Sequence, residues 1–540
     1  MRVLDSLSSK PVVRYVIYSF SVIFFFALIL IPPILGIVLK WNTMGQIFGE
    51  PSLMSRATAA IYASFAIAIF VSIIDIVAGL PTAWLITRGR SKWLNVLDTF
   101  VDVPFIIPTV ALGYSLLLFW SGPEGISSLF GGSLVSPGWL LIILLHFAFS
   151  YPVVVRVMVG ALLDYKREYE QAARTLGAAP LTADRTVTLS ILKPSLIASF
   201  TLAFARSISE TGATIMVAGA FENGPILINN LKTEQQLGYE GALVFVSFIL
   251  IAISLAIFAA IRLAGPRLKM PIKKVWPMAE RKLSSSGVTN LRNGGTLLVF
   301  FVIILIPSLF VALPAVRAVS NGTLNEAVMG VGIWGGYWQS LILSYSLGAV
   351  ATLLNVIVGL PMAVLIARRR LGKMFSGILD VLVNVPLIVP SIALGVSLSI
   401  FWENFAFIPE IGLLIFAHVS ITYPYFVRSM TAAIERVNID LESASRTLGG
   451  QPFTVFRTII LPLTKYSVFA GAIMVFTRSI SETGATLAVT TQLQTAPVLL
   501  VDWVKGKVPV TPLEIGLACG ILVVLSFIIL LISRLIVRGR

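Results

Sequence analysis

Charge is scarce in this chain of 540 residues: 12% of positions are Asp, Glu, Lys or Arg, against 57% hydrophobic. A soluble globular domain carries roughly 25% charged residues, so the composition excludes that class and indicates an integral membrane protein. Cysteine is nearly absent. The one thiol, Cys519, excludes an intramolecular disulfide and a cysteine-based zinc site. There are two histidines, His146 and His418, and no acidic or Cys partner lies near either in sequence, so each reads as a hydrogen-bonded structural group. A phosphate-binding G-x-x-x-x-G-K-[ST] loop is also missing. The nearest fragments, "LGKMF" and "KGKVP", lack the upstream Gly and the Ser/Thr, so the chain binds no nucleotide of its own by this device. No Ser-His-Asp array, metal motif or paired general acid and base is present, which argues against an enzyme.

What is present is long apolar runs. At about 20 residues per crossing, spans are expected near 12–39, 57–87, 98–120, 138–160, 194–220 and 239–263, and again near 296–318, 338–367, 378–402, 409–430, 466–488 and 512–536. The fold class expected is therefore an all-α integral membrane protein of about twelve transmembrane helices. Residues 1–263 form a first transmembrane domain, 264–295 a basic, Pro/Ser/Gly-containing cytoplasmic linker, and 296–540 a second transmembrane domain. The first apolar run exceeds the core of a signal peptide and is read as a retained helix.

Net charge is +15, from 40 Lys and Arg against 25 Asp and Glu. The excess sits between apolar runs, in "ITRGRSKW", "DYKREY", "GPRLKMPIKKVW", "ARRRLGK" and "RLIVRGR", as loops on the cytoplasmic side do. No aromatic-basic surface module accompanies it, so nucleic acid is not an expected partner and the lipid membrane is. The bias places both termini inside, in the cell membrane.

The second half repeats the first in the same order. "GLPTAWLITR" from Gly79 returns as "GLPMAVLIAR" from Gly359, "DVPFIIPTVALG" from Asp102 as "NVPLIVPSIALG" from Asn384, and "SYPVVVR" from Ser150 as "TYPYFVR" from Thr422. With six spans each, both halves enter the membrane the same way round, giving a parallel repeat. Between the fourth and fifth spans of each half runs a polar loop: a short helix stopped at Gly177 or Gly449, a turn at Pro180 or Pro452, then a helix re-entering the membrane. Small residues Ala172, Ala173, Ala444 and Ser445 leave a face that another protein can approach closely.

These loops are similar to the Glu-Ala-Ala loop of ABC importer permeases. Gly449 is followed at the family's spacing by Ile459, Leu461 and Pro462; Gly177 is followed by Val187 and Leu189, with Ser190 where Pro is usual. Gln171 and Ser443 hold the family's Glu position, and Glu170 and Glu442 directly precede them. The chain resembles the fused permease of a binding-protein-dependent type I importer, in the group of ferric-iron, thiamine, aminophosphonate, molybdate and sulfate permeases. That resemblance implies a translocation pathway working by alternating access. It also implies an ATPase homodimer that binds ATP and Mg in separate chains and docks at Glu170, Ala172, Ala173, Arg174 and Gly177 and at Glu442, Ala444, Ser445, Arg446 and Gly449. An extracytoplasmic binding protein would deliver a small polar or ionic solute. The rival reading is an ion-driven secondary transporter, which also often has twelve spans in parallel halves.

The fifth span of each half carries "RSISETGAT", beginning at Arg206 and at Arg478. A charge at membrane depth costs at least ~2.5 kcal/mol on insertion scales, so it is paired or used. Positions i and i+4 share a helical face, so Arg206 is expected to neutralise Glu210, and Arg478 to neutralise Glu482. With Ser209, Gly212, Ser481 and Gly484, these residues are the candidates for a path lining or gate, the alternative being a structural lock between spans. Asp75, matched by Asn355, is expected to make an interhelical hydrogen bond.

Overall fold

The computed structural model describes residues 2–89, 91–234, 239–267, 275–490 and 492–538. Arg90, the linker's basic run 268–274 and the last two residues, all part of the charge pattern above, lie outside the described residues. Among the described residues every regular element is a helix. Nine helices there are long and apolar enough to cross a membrane, and three bent pairs raise the number to twelve, in agreement with the sequence. In order, the spans are Pro11–Leu39, Pro51–Arg88, Leu94–Ile106 with Thr109–Phe130, Trp139–Asp164, Pro180–Ile191 with Lys193–Ser209, and Tyr239–Ala264. The second set is Ser286–Ser320, Ile333–Ala367, Gly372–Ile388 with Ser391–Trp402, Glu410–Arg436, Pro452–Ile480 and Pro512–Arg538.

Three expectations need correcting. The third and ninth spans are not straight helices over 98–120 and 378–402; each bends sharply, by 105° and 104°. Proline is the cause. It disfavours the helical conformation in the residue before it, and Ile107 and Val389, which precede Pro108 and Pro390, are extended at ψ 126 and 134. The fifth and eleventh spans do not run through 194–220 and 466–488, because each helix breaks inside "RSISETGAT" and resumes as Gly212–Val217 or Gly484–Val489. Finally, the stretch read as linker is partly helical. Pro277–Leu283 forms one helix, and the seventh span begins at Ser286 rather than near 296.

Sequence repeats are not packing units here. The first span lies against the second half: the Ser21 hydroxyl donates to the Val358 carbonyl at 2.6 Å, and the Phe25 and Tyr423 rings stack at 5.7 Å. Reciprocally, the seventh span lies against the first half, where Ser115 donates to the Pro307 carbonyl at 2.6 Å and Tyr151 stacks on Phe300 at 6.2 Å. Each of these crossing helices has a π turn, Phe25–Leu30 or Phe300–Leu305, just ahead of a proline, Pro32 or Pro307. A proline cannot donate to the carbonyl four residues back and its ring clashes with it, so the wider turn relieves the strain. Pro32 leaves the Leu28 carbonyl free, and Ser420 of the second half donates to it at 3.1 Å. Such interhelical bonds average only about 0.6 kcal/mol in lipid, so close packing must supply most of the grip. Gly36 shows how close: a Cβ there would stand 1.9 Å from the Ser397 carbonyl oxygen.

Pro180 and Pro452 of the two loops seat further helices in the same exchanged manner. After Pro180 the Leu181 N–H donates to Ser284 at 3.0 Å, while Glu280 accepts from Thr182 and from Arg185, whose Nε lies at 3.1 Å. After Pro452 the Phe453 N–H donates to Ser8 at 3.1 Å, and Thr454 donates to Asp5 at 2.6 Å. Thus the N-terminal helix Arg2–Ser9 serves the second loop as Pro277–Leu283 serves the first.

Candidate functional site

Two regions collect the residues singled out by sequence. The first is the pair of loops, whose short helices are Glu168–Thr175 and Ile439–Thr447. Both end identically: Gly177 and Gly449 take φ of +91 and +85, and their N–H groups donate to Arg174 and Arg446 carbonyls at 3.0 Å. Only glycine enters that region without strain. The stop thrusts the preceding residue outward, leaving Leu176 89% and Leu448 88% exposed. Ala172, Arg174, Ala444 and Arg446 share this open surface, and Ala173 and Ser445 are half-buried on it.

The carboxylates face the other way. Glu170 pairs with Arg88 and Glu442 with Arg368, each at 2.7 Å, and the arginines are the last residues of the repeated "GLPxAxLIxR". Arg368 also donates to the Val437 carbonyl at 2.9 Å. These pairs tie each loop helix to the end of the second or eighth span, so Glu170 and Glu442 brace the loop helices from the side opposite their exposed tips. Arg446 reaches Glu442 only at 3.9 Å.

The second region is the centre, where the two copies of "RSISETGAT" meet. In the first copy the helix ends at Ser209, and Glu210 is extended at φ −80, ψ 125. In the second, the helix runs to Ile480 with Ser481 still near-helical at φ −86, ψ −3. Arg478 meets Glu482 at 2.7 Å with 10% and 1% of the side chains exposed, whereas no ion pair joins Arg206 to Glu210. Arg206 instead lies over the Phe149 ring at 5.3 Å. The expectation of two self-neutralised pairs therefore holds for the second copy only.

Both glutamates have a second task, which is the same in each half. Glu210 accepts from the Ala213 N–H at 3.1 Å and Glu482 from the Ala485 N–H at 3.0 Å. The first N–H groups of a helix lack partners within it, so each carboxylate caps the short arm that follows the break.

Small residues let these elbows touch. A Cβ on Gly212 would stand 2.4 Å from Thr483 Oγ1, and one on Gly484 would stand 2.7 Å from Thr211 Oγ1, so each copy's Gly receives the other copy's Thr. The Pro-bent spans close the ring. Gly113 abuts Ala213 and Gly395 abuts Ala485 within each half, while Ser391 donates to the Ser209 carbonyl at 3.3 Å and Thr109 to Ser481 at 3.5 Å between halves. Glu210, Thr211, Glu482 and Thr483 are all buried. The centre is packed shut by contacts that are short, small and mostly weak.

On the face opposite the loops, two short helices absent from the sequence reading, Gly224–Glu234 and Ala496–Val504, fold back beside the centre. Lys232 of the first donates to the Leu487 carbonyl at 2.8 Å, at the carbonyl end of the second half's arm. Arg56 binds Glu222 at 2.6 Å and Glu234 at 3.1 Å, and its hydrogen bonds hold the Glu222 carboxyl below the usual carboxylate range. The pairing signal for Arg88 and Arg368 was available in sequence: an Arg and a Glu matched in both halves. Nothing local announced Thr211, Thr483, Thr109 or Ser391.

A family model described as the binding-protein-dependent transport system inner membrane component matches residues 76–270 and 356–540. The sulfate transport system permease protein CysT of Salmonella typhimurium is 32% identical over 248 residues, 44% of this chain and 87% of that protein. Its counterpart in Escherichia coli is 31% identical over the same shares. A putative ferric transport system permease protein, FbpB 1 of Haemophilus influenzae, is 27% identical over 516 residues, 89% of this chain and 78% of that protein. The first two match a single half and the third matches both.

Proposed function

We propose, from the premise that this chain belongs to the inner membrane components of binding-protein-dependent transport systems, that its two loops are the docking points of a pair of ATPase subunits. The chain is the multi-pass permease of an ABC importer, and the hydrolytic chemistry belongs to its partner; family membership does not favour the ion-driven alternative. In the proposed cycle, ATP and Mg bound by a homodimeric ATPase on the cytoplasmic side draw the two loop helices together. The Arg88–Glu170 and Arg368–Glu442 pairs pass that movement to the second and eighth spans, and the elbows at Glu210 and Glu482 part. Both termini lie on the ATPase side, and a binding protein delivers the solute from the other.

The observation that carries this reading is the pair of protruding leucines, Leu176 and Leu448, displayed by identical glycine stops on one face. An exposed apolar side chain at a matched tip in both halves is what a partner with two equivalent clefts would take. The solute is a small polar or ionic species. Relatives named for sulfate and for ferric transport support that class and do not narrow it further.

Co-expression with the ATPase tests the reading. One permease chain should copurify with two ATPase chains, and Leu176→Asp with Leu448→Asp should abolish the complex without lowering the permease's membrane abundance. Undiminished copurification of that double variant would refute docking through the loops.

A further inference from the structure

The two histidines, left above as structural groups, occupy the same place in each half. His146 in the fourth span and His418 in the tenth are buried at 3% and 1% exposure. Nδ1 of His146 lies 2.8 Å from Ser207 Oγ and its Nε2 lies 2.9 Å from Thr214 Oγ1. His418 reproduces this with Ser479 at 2.8 Å and Thr486 at 3.0 Å. Ser207 and Ser479 lie before the break in the elbow, and Thr214 and Thr486 lie after it. Each imidazole therefore bridges a broken helix from outside.

Hydrogen-bond direction follows from the neighbours. Thr214 donates its hydroxyl proton to the Glu210 carbonyl at 3.0 Å, and Thr486 donates to the Glu482 carbonyl at 3.3 Å. A hydroxyl has one proton to give, so toward the ring each Thr oxygen is an acceptor. That places the ring proton on Nε2 and makes Nδ1 the acceptor of the serine proton. A neutral imidazole satisfies both arms at once; the chain of bonds runs serine to ring, ring to threonine, threonine to the carbonyl at the break. The ring's own helix is fixed in turn. Ser150 Oγ lies within hydrogen-bond reach of both the His146 carbonyl and the Asp75 carboxyl of the second span, and Thr422 donates to the His418 carbonyl while accepting from Asn355 of the eighth at 2.7 Å.

We infer that His146 and His418 are positioning residues that clamp the two arms of each elbow into one rigid piece. When the path opens, Glu210 and Glu482 travel with their elbows and the breaks do not act as hinges. The inference rests on the reading that the elbows line the path, and its spectroscopic part is independent of any ATPase.

Because the chain has two histidines, ¹⁵N-histidine labelling of a protein purified without a polyhistidine tag gives two ring systems, assigned by single variants. In lipid, both are expected to be neutral with the proton on Nε2. Ser207→Ala should shift Nδ1 of His146 and leave His418 unmoved. A proton on Nδ1, an imidazolium, or no response to Ser207→Ala would overturn the clamp. In uptake assays His146→Phe should lose about tenfold in rate at normal membrane abundance, since two hydrogen bonds go. His146→Gln, whose amide both donates and accepts, should recover most of it. Equal transport by the Phe and Gln variants would overturn the positioning role and leave the importer reading intact. If His146→Phe does not accumulate, Ser207→Ala and Thr214→Val, which each remove one bond and keep the ring, carry the same uptake comparison. Failure of the unaltered chain to transport with its ATPase would sink the importer reading, while the ring spectra would still decide the clamp.

Discussion

Gly212→Ala is the sharpest probe of the closed centre. The added Cβ would stand 2.4 Å from Oγ1, 2.6 Å from Cβ and 3.0 Å from Cγ2 of Thr483. The hydroxyl can rotate away; Cβ cannot, so one elbow must yield. Overpacking by one methyl in a tight contact costs about 1–3 kcal/mol, and at 1.4 kcal/mol per tenfold the closed arrangement loses roughly fivefold to a hundredfold against states in which the elbows are apart. The assay is ATP hydrolysis by the assembled complex in lipid nanodiscs without binding protein, where the expected result is a basal rate raised by about that range or to its ceiling. Thr483→Gly removes all three clashing atoms and should return the rate of the double variant toward the starting value. Gly484→Ala should do less, because it meets Ser391 Oγ at 2.5 Å and Thr211 Oγ1 at 2.7 Å before it meets Thr211 Cβ at 2.9 Å. An unchanged basal rate in a well-folded Gly212→Ala complex, or no reversal by Thr483→Gly, would refute the view that these elbows form the closed contact.

Further outcomes are expected elsewhere. Glu442→Ala leaves the Arg368 guanidinium, 6% exposed, without its counter-charge, and should cost about 3 kcal/mol; the thermal midpoint should fall further than in Glu170→Ala, whose pair is more exposed at 14% and 15%. Gly449→Val forces a β-branched residue to φ +85 where no neighbour lies within 4 Å, so the strain is purely in the backbone, about 1–2 kcal/mol, and solute moved per ATP hydrolysed should drop while hydrolysis persists. Glu222 has a folded pKa depressed by its Arg56 hydrogen bonds. Its contribution is fully present above the ordinary value of 4.5 and is lost as pH falls through the lower folded value, so the stability gap between wild type and Glu222→Gln should be constant at neutral pH and close in acid, as read by unfolding at a series of pH values. Because this pair is partly exposed at 33% and 21%, the gap should be about 1 kcal/mol or less.

The twelve crossings and the two loops were legible because they depend on local quantities: hydropathy over a turn or more, and a Gly whose left-handed backbone ends a helix. The breaks at Glu210 and Glu482 were not, since an apolar run scores alike whether its helix is continuous or interrupted, and the same i, i+4 letters give an ion pair in the second copy and none in the first. Pro108 and Pro390 did announce their bends, through the extended residues before them, but proline is tolerated inside other spans here, at Pro81 and Pro361, so the letter alone does not set the angle. The exchange of the first and seventh spans had no local mark at all. A lipid-facing stripe says that a helix has neighbours on its other side and says nothing about which half supplies them.

That exchange has a consequence for the order of events in synthesis. Ser21 must wait for Val358, 337 positions later, and Leu28 for Ser420, 392 positions later. At about 5–20 residues per second, the first helix stands in the bilayer without its native neighbours for on the order of half a minute, its Leu28 carbonyl unprotected by the proline that freed it. The first half in turn lacks the seventh span until the chain is more than half made. Neither half can finish folding on its own schedule, and the first helix is enclosed only when the eighth and tenth spans reach back to it.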